Sequence, residues 1–390
     1  MNSHPSTLAD VIRKLKSSPL FQLSLASKEL FHSNFLAWIC ESYPDQVAPL
    51  FSDFLPQPPP AHVPLTVHRE KGNIDLTICF PGGNQLVVEN KVKSIPREEQ
   101  LEEYAAKFGN KAQTGFLLLS LTRPGFLNEG KTAFSLNDVC WHYLSYGRLA
   151  ELLQSIALTV SGLDTYHGAL LTDYIEFITL LDVLHAHFAI DWEHEDADFF
   201  GMQEDLRQIR LHDLVDKLRF AELAWRVKGE LKAEGFENVV MRNLPNGDTG
   251  QIAVFSDMTR GVGLFDMKYL LTNHEGNPVM LGVQVQGRDF RLNVEMKEGQ
   301  FQSERIAESL LKPVRGTRIW FNFDSVPGDS GEYPKTGDKK FNQYSRIFWY
   351  RSKKLGKISP AKLVATIIHY ARLIRDQQFA ICQQIRDGSE

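Results

Sequence analysis

The segment NIDLTICFPGGNQLVVENK, residues 73–91, constrains this chain more than any other. Two apolar runs flank Pro81-Gly82-Gly83, a tight-turn signal, so the segment reads as a β-hairpin. Side chains alternate faces along a strand, which puts Glu89 and Lys91 on one side and Asn90 on the other. The hairpin then lets Asp75 face the pair. Two carboxylates and an ammonium at the end of a sheet make a hard oxygen site suited to Mg²⁺, with the lysine holding a water or stabilising negative charge. The plainer alternative is a cross-strand ion pair on a solvated sheet face.

Context separates this site from its look-alikes, since Glu-x-Lys also occurs at Glu129-Lys131, Glu230-Lys232 and Glu295-Lys297. Only here does an apolar strand run into the tripeptide with an Asp-bearing strand across a Gly-rich turn. The following segment, 97–108, has helical character and places Gln100 and Tyr104 on one face. Upstream, a helix over 28–42 carries Glu29 and His32 on one face beside Ser33 and Asn34, where a capping or surface role serves equally well. A short helix over 7–18 precedes it, and a proline run within 51–64 forms a connector. Strands are expected at 64–71, 73–80, 84–91, 115–121 and 139–146, and helices at 147–158 and 166–190.

At 390 residues the prior is two domains. The acidic stretch DWEHEDADFFG marks the boundary, which gives a first domain over 1–190, a linker over 191–203 and an α+β domain over 204–390. That second part opens with a helix over 204–234, continues in five strand-like runs between 237 and 297, and closes with a helix over 360–384. Charges at Glu176 and Asp182 interrupt the longest apolar stretch, so no membrane helix is expected. The N-terminus lacks the pattern of a secretory signal, and the expected location is cytoplasmic. Cys40, Cys79, Cys140 and Cys382 are scattered among apolar neighbours, as small core residues are. His185, His187 and His194 are not spaced for zinc, and neither a phosphate-binding glycine loop nor a nucleophile elbow occurs.

A net charge of −5 gives no global footprint for nucleic acid. A local track is offered by residues 335–357, where Lys335, Lys339, Lys340, Lys353 and Lys354 interleave with Phe341, Tyr344, Phe348, Trp349 and Tyr350; a core strand with a solvated basic flank is the alternative. Asp266, Gln284 and Gln286 loosely echo the first constellation with its charged pair replaced, and Glu295-Met296-Lys297 with Asp289 is a secondary candidate.

Taken together, a helix with Glu29, a strand with Asp75, a strand ending Glu89-Asn90-Lys91 and a helix with Gln100-Leu101-x-x-Tyr104 resemble the PD-(D/E)XK nuclease superfamily, and within it a bacterial branch with an E-x-x-HS-x-x-L-A-W opening. The resemblance covers roughly residues 25–125. It implies a restriction-endonuclease-like α/β core, a central mixed sheet flanked by helices, followed by the C-terminal α+β domain. It also implies a metal-dependent phosphodiesterase using Mg²⁺, with Mn²⁺ as a substitute, and nucleic acid as partner, DNA ahead of RNA. Asp75 and Glu89 would bind metal, the Asn90 carbonyl could add a ligand, Lys91 would be the active-site lysine, and Glu29 would act on metal through water. Gln100 and Tyr104 would contact DNA, and Lys339 and Lys340 are added from the basic track. Ile74 stands where the superfamily motif has proline. The competing expectation is a non-catalytic nucleic-acid-binding or regulatory module that keeps the fold.

Overall fold

In the computed structural model the described residues are 7–25, 28–59, 64–92, 94–108, 111–127, 130–192, 195–201, 203–245, 247–296, 300–328, 330–334 and 339–389. Glu129, His194, Lys297 and Lys335 lie outside them. Two units divide the chain: Met1–Ala189 with Glu204–Leu214, and Ile190–Gln203 with Val215–Glu390.

The first unit begins with α1 (Leu8–Ser17), α2 (Pro19–Ser24), α3 (Lys28–Ser42) and a single turn, α4 (Pro44–Val47). Thr7 and Ser18 cap α1 and α2 by accepting backbone N–H bonds from Asp10 and Phe21. Next come β1 (Thr66–Arg69), β2 (Leu76–Cys79), β3 (Gln85–Lys91), α5 (Glu98–Lys107), β4 (Thr114–Ser120), β5 (Ala133–Leu136), β6 (Val139–Ser145), α6 (Tyr146–Leu163) and α7 (Thr165–Ala186). The sheet order is β1-β2-β3-β4-β6-β5. β1 to β3 form an antiparallel meander, β3, β4 and β6 run parallel, and β5 is an antiparallel edge. This is a six-stranded mixed sheet flanked by helices, the expected restriction-endonuclease-like architecture.

The expected hairpin is present: β2 pairs with β3 across the glycines at 82 and 83, whose φ values are +81° and +88°. α5 covers one sheet face, its Leu101, Tyr104 and Ala105 packing with Val87, Phe116, Leu118 and Trp141. β4 is buried along its whole length, as a central parallel strand must be, and reads as one apolar run. Gly115 is required there, because a Cβ would lie 2.1 Å from the Phe54 carbonyl oxygen of the crossing connector. The short strand β5 was not anticipated; Asn137 and Asp138, both at positive φ, make its two-residue turn into β6. Cys140, expected as a core residue, is exposed on the alternating strand β6, while Cys40 is buried; all four thiols are free.

In the second unit Phe199 and Phe200, within the stretch expected as a linker, are buried in the hydrophobic core, and Phe199 N–H donates to the Ile358 carbonyl at 2.8 Å. The acidic composition of the stretch conceals those two anchors. The helix expected over 204–234 is divided into α8 (Gln203–Arg207) and α9 (His212–Ala233), with Arg210 between them at φ +56°, and its part up to Leu214 is grouped with the first unit. An eight-stranded sheet follows: β7 (Val239–Met241), β8 (Ile252–Thr259), β9 (Val262–His274), β10 (Asn277–Gln286), β11 (Asp289–Met296), β12 (Glu332–Tyr333), β13 (Asn342–Gln343) and β14 (Phe348–Lys354). β8 to β11 are a meander, joined first by Arg260-Gly261 and Glu275-Gly276, two-residue turns with both residues at positive φ. α10 (Gln300–Ser309), α11 (Pro360–Asp376) and α12 (Gln378–Ser389) complete the unit, the last two replacing one expected helix. Among the described residues no helix is long and apolar enough to cross a membrane.

Candidate active site

β3 enters the first unit's core with Val87 on the α5 side, and that same side then carries Glu89 and Lys91. Glu89 is 1% exposed and Lys91 8%. The solvated-face alternative is therefore excluded, for this is a buried cluster. Lys91 Nζ lies 2.5 Å from Glu89 Oε1. Asp75 stands one residue before β2, opposite Glu89 by continuation of the Leu76–Val88 pairing, and its Oδ2 accepts the Asn90 main-chain N–H at 2.8 Å. From α5, the Gln100 side-chain amide donates to Glu89 Oε1 at 3.1 Å and to the Tyr104 hydroxyl at 2.7 Å. The structure thus brings Asp75, Glu89, Lys91, Gln100 and Tyr104 together.

Asn90 points to the opposite face and ties the site to the helices there. Its amide nitrogen donates to the Glu29 carbonyl at 2.9 Å and to Ser33 Oγ at 3.2 Å, and its Oδ1 accepts from the Tyr146 hydroxyl at 2.5 Å. Glu29 Oε1 accepts main-chain N–H bonds from Val92 at 3.3 Å and Ser94 at 2.9 Å, and a hydroxyl bond from Ser94. His32 has neither a capping nor a surface role: it is buried against Phe177 and Tyr146, its Nδ1 3.0 Å from the Tyr174 hydroxyl, and burial pushes its pKa down to about 3. Tyr146 and Ser94 escaped the sequence reading. The signal for Tyr146 was Asn90 itself, a polar side chain on an apolar face that must find partners.

Burial, then the neighbouring Asp75, push the Glu89 carboxyl up to about 8 against the pull of Lys91. Burial also raises Asp75, partly offset by the Asn90 N–H and Lys91. For Lys91, burial acts downward, but Glu89 foremost, with Asp75 and Glu29, outweighs it and raises the ammonium above its usual value. Glu89 Oε2 is buried and receives no N–H or hydroxyl donor among the described residues, and the Glu89 and Asp75 carboxyls are hydrogen-bonded to each other, sharing a proton. Two facing carboxyls that share a proton in the absence of metal are where a hard cation fits, in that proton's place. No group of three His, Cys, Asp or Glu side chains is arranged to hold a metal among the described residues. A two-carboxylate site suits Mg²⁺, which keeps most of its waters and takes further oxygens from a phosphate substrate.

A second cluster lies on β9 to β11. Lys268 contacts Glu295 and is 3.8 Å from Asp266 Oδ2, which also accepts from the Gln284 amide at 3.2 Å. Arg291 donates to Gln284 Oε1 at 2.8 Å. The two echoes expected from sequence are thus one network centred on Lys268, which sequence reasoning missed. Burial pushes Asp266 up to about 7 despite Lys268. In the basic track, Lys340 pairs with Glu308 at 2.7 Å, Lys339 is exposed, and Phe341, Phe348 and Trp349 are core residues, leaving Tyr344 as the exposed ring.

Residues 63–176 match the model of a family of the PD-(D/E)XK nuclease superfamily, which bears out the resemblance and takes in Asp75, Glu89, Lys91, Gln100, Tyr104 and Tyr146. Glu29 and the second unit lie outside the match. Neither the comparison with curated proteins nor that with solved structures gives a match.

Proposed function

We propose that the first unit is a metal-dependent nuclease that hydrolyses phosphodiester bonds of nucleic acid, with DNA as the substrate. The observation that carries this is the convergence of the half-buried Asp75 with the buried Glu89 and Lys91, the two carboxyls facing each other, inside the segment that matches the nuclease superfamily. Asp75 and Glu89 would hold Mg²⁺, or Mn²⁺ in its place, with the Asn90 main-chain carbonyl as a further donor and Glu29 acting through water. Bound there, the cation would polarise a phosphoryl oxygen and lower the pKa of a coordinated water.

The remaining work belongs to the chain. Lys91 remains charged at neutral pH and offsets negative charge developing on the phosphoryl group while orienting the attacking water. Gln100 holds one oxygen of Glu89, and the Asn90 N–H holds one oxygen of Asp75, which fixes the orientation of both carboxyls. Cleavage of labelled linear and circular DNA, single and double stranded, in Mg²⁺ or Mn²⁺ tests the proposal against EDTA and Lys91→Ala controls. Metal-dependent cutting lost in the variant supports it, and circular substrates separate internal from terminal cutting. A protein that binds no divalent cation and cuts nothing is a binding module instead.

A further inference from the structure

The second unit contains a cavity of about 650 Å³ unrelated to the carboxylate chemistry. Its lip is a two-residue turn in which Val314 and Thr317 exchange backbone hydrogen bonds of 2.9 and 3.1 Å. Arg315 and Gly316 sit at φ +51° and +87° in that turn, and Arg315 is exposed with no described carboxylate paired to it. Beside it, Arg318 is held in place by two contacts of 3.2 Å to Glu332. From α11, His369 lines the cavity with its Nε2 3.1 Å from Ser325 Oγ, and Tyr370 closes the wall by donating to the Asn322 carbonyl at 2.5 Å. Ile319 and Leu373 supply an apolar surface, and among the described residues no Asp or Glu lines the cavity.

We propose that this cavity binds a phosphomonoester carried by a nucleoside. Guanidinium groups recognise phosphate oxygens in planar, paired hydrogen bonds, and a pre-oriented one loses less freedom in doing so. Glu332 supplies that pre-orientation for Arg318 and offsets part of its charge, which makes Arg315 the dominant free cation. The volume suits a small ligand rather than a duplex, and the Ile319–Leu373 wall beside the cations accepts the flat apolar part that a nucleoside adds to its phosphate. A free nucleotide and the 5′-phosphorylated end of a strand share this chemistry.

Calorimetric titration of the full chain in EDTA tests the inference apart from the nuclease proposal, since no cation then engages Asp75 and Glu89. The probes are adenosine 5′-monophosphate, and a dinucleotide with and without its 5′-phosphate. We expect binding of a phosphorylated probe with a Kd of about 1 mM or tighter, weakened about tenfold by Arg315→Glu, severalfold by His369→Ala, and unchanged by Lys362→Glu on the exposed side of α11. Binding of the phosphorylated dinucleotide without the mononucleotide keeps the inference and assigns the strand end as the source. Absence of binding for every phosphorylated probe at about 10 mM, or binding indifferent to both Arg315→Glu and His369→Ala, overturns it.

Discussion

Each unit gathers two carboxylates, one lysine and one glutamine against a sheet, yet the two clusters differ in charge and in where the sheet places them. In the first, Asp75, Glu89 and the nearby Glu29 outnumber Lys91, and Lys91 is the last residue of β3, at the carboxyl end of parallel strands. In the second, Arg291 joins Lys268 against Asp266 and Glu295, with Asp289 3.8 Å from Arg291, and the group sits along antiparallel strands. One cation among three carboxylates at a strand end leaves negative charge for a divalent cation to offset, whereas the second cluster holds two cations in mid-strand, although Asp266 Oδ1 and Arg291 Nε there are also buried without a partner among the described residues. Residue types alone do not distinguish the two; net charge and topology do.

The largest effect separating them concerns catalysis. Asp75→Asn or Lys91→Ala should lower cleavage by about 10²–10³-fold, whereas Asp266→Asn should leave it within about twofold. A loss from Asp266→Asn equal to that from Asp75→Asn would end the distinction. Next, Tyr146→Phe strips the Asn90 Oδ1 of its donor in a fully buried setting. That should cost about 1–3 kcal/mol in chemical denaturation, a penalty arising outside the carboxylates themselves.

A smaller effect follows from protonation. The Glu89 carboxyl is raised in the folded protein, so the cation-free fold keeps a proton that the unfolded chain releases. Its contribution to stability is present below the ordinary glutamate range and is lost as pH rises through about 8. Melting in EDTA between about pH 5 and pH 9 should show Tm falling by a few degrees, less so in Glu89→Gln. Asp266 works in the same direction through about 7, so Mg²⁺ should recover only the Glu89 part of the decline. The smallest change is expected from Lys339→Glu with Lys340→Glu, which should reduce DNA affinity severalfold and the salt slope by about 2 or less. An unaltered salt slope would remove the track from the interface.

The hairpin, the alternation of Glu89-Asn90-Lys91 and the facing Gln100 and Tyr104 were legible because each rests on a local period, two for strands and about four for the helix. What was not legible depended on distant partners. Lys268 meets Glu295 across an intervening strand, a relation fixed by the registers of β9 with β10 and β10 with β11 and absent from any short window. The stretch 191–203 shows in its sequence an acidic composition, and not the burial of two phenylalanines, which is decided elsewhere in the second unit. The aromatic residues of the basic track divide likewise: once β14 pairs with β11, Trp349 enters the hydrophobic core and Phe348, on the opposite face, is buried beside Lys268.

The tight turns of the second unit bear on how the chain acquires its structure. Ladders closed by two residues, as at Arg260-Gly261 and Glu275-Gly276, need little loop entropy and propagate from one strand to the next. In the first unit β3 meets β4 only after a crossover through α5, and β4 meets β6 past β5, so its central ladder must wait for more distant contacts. In refolding followed by pulsed hydrogen exchange, amides of β8 to β10 should therefore gain protection before those of β3, β4 and β6, and the carboxylate site would be the later of the two clusters to exist.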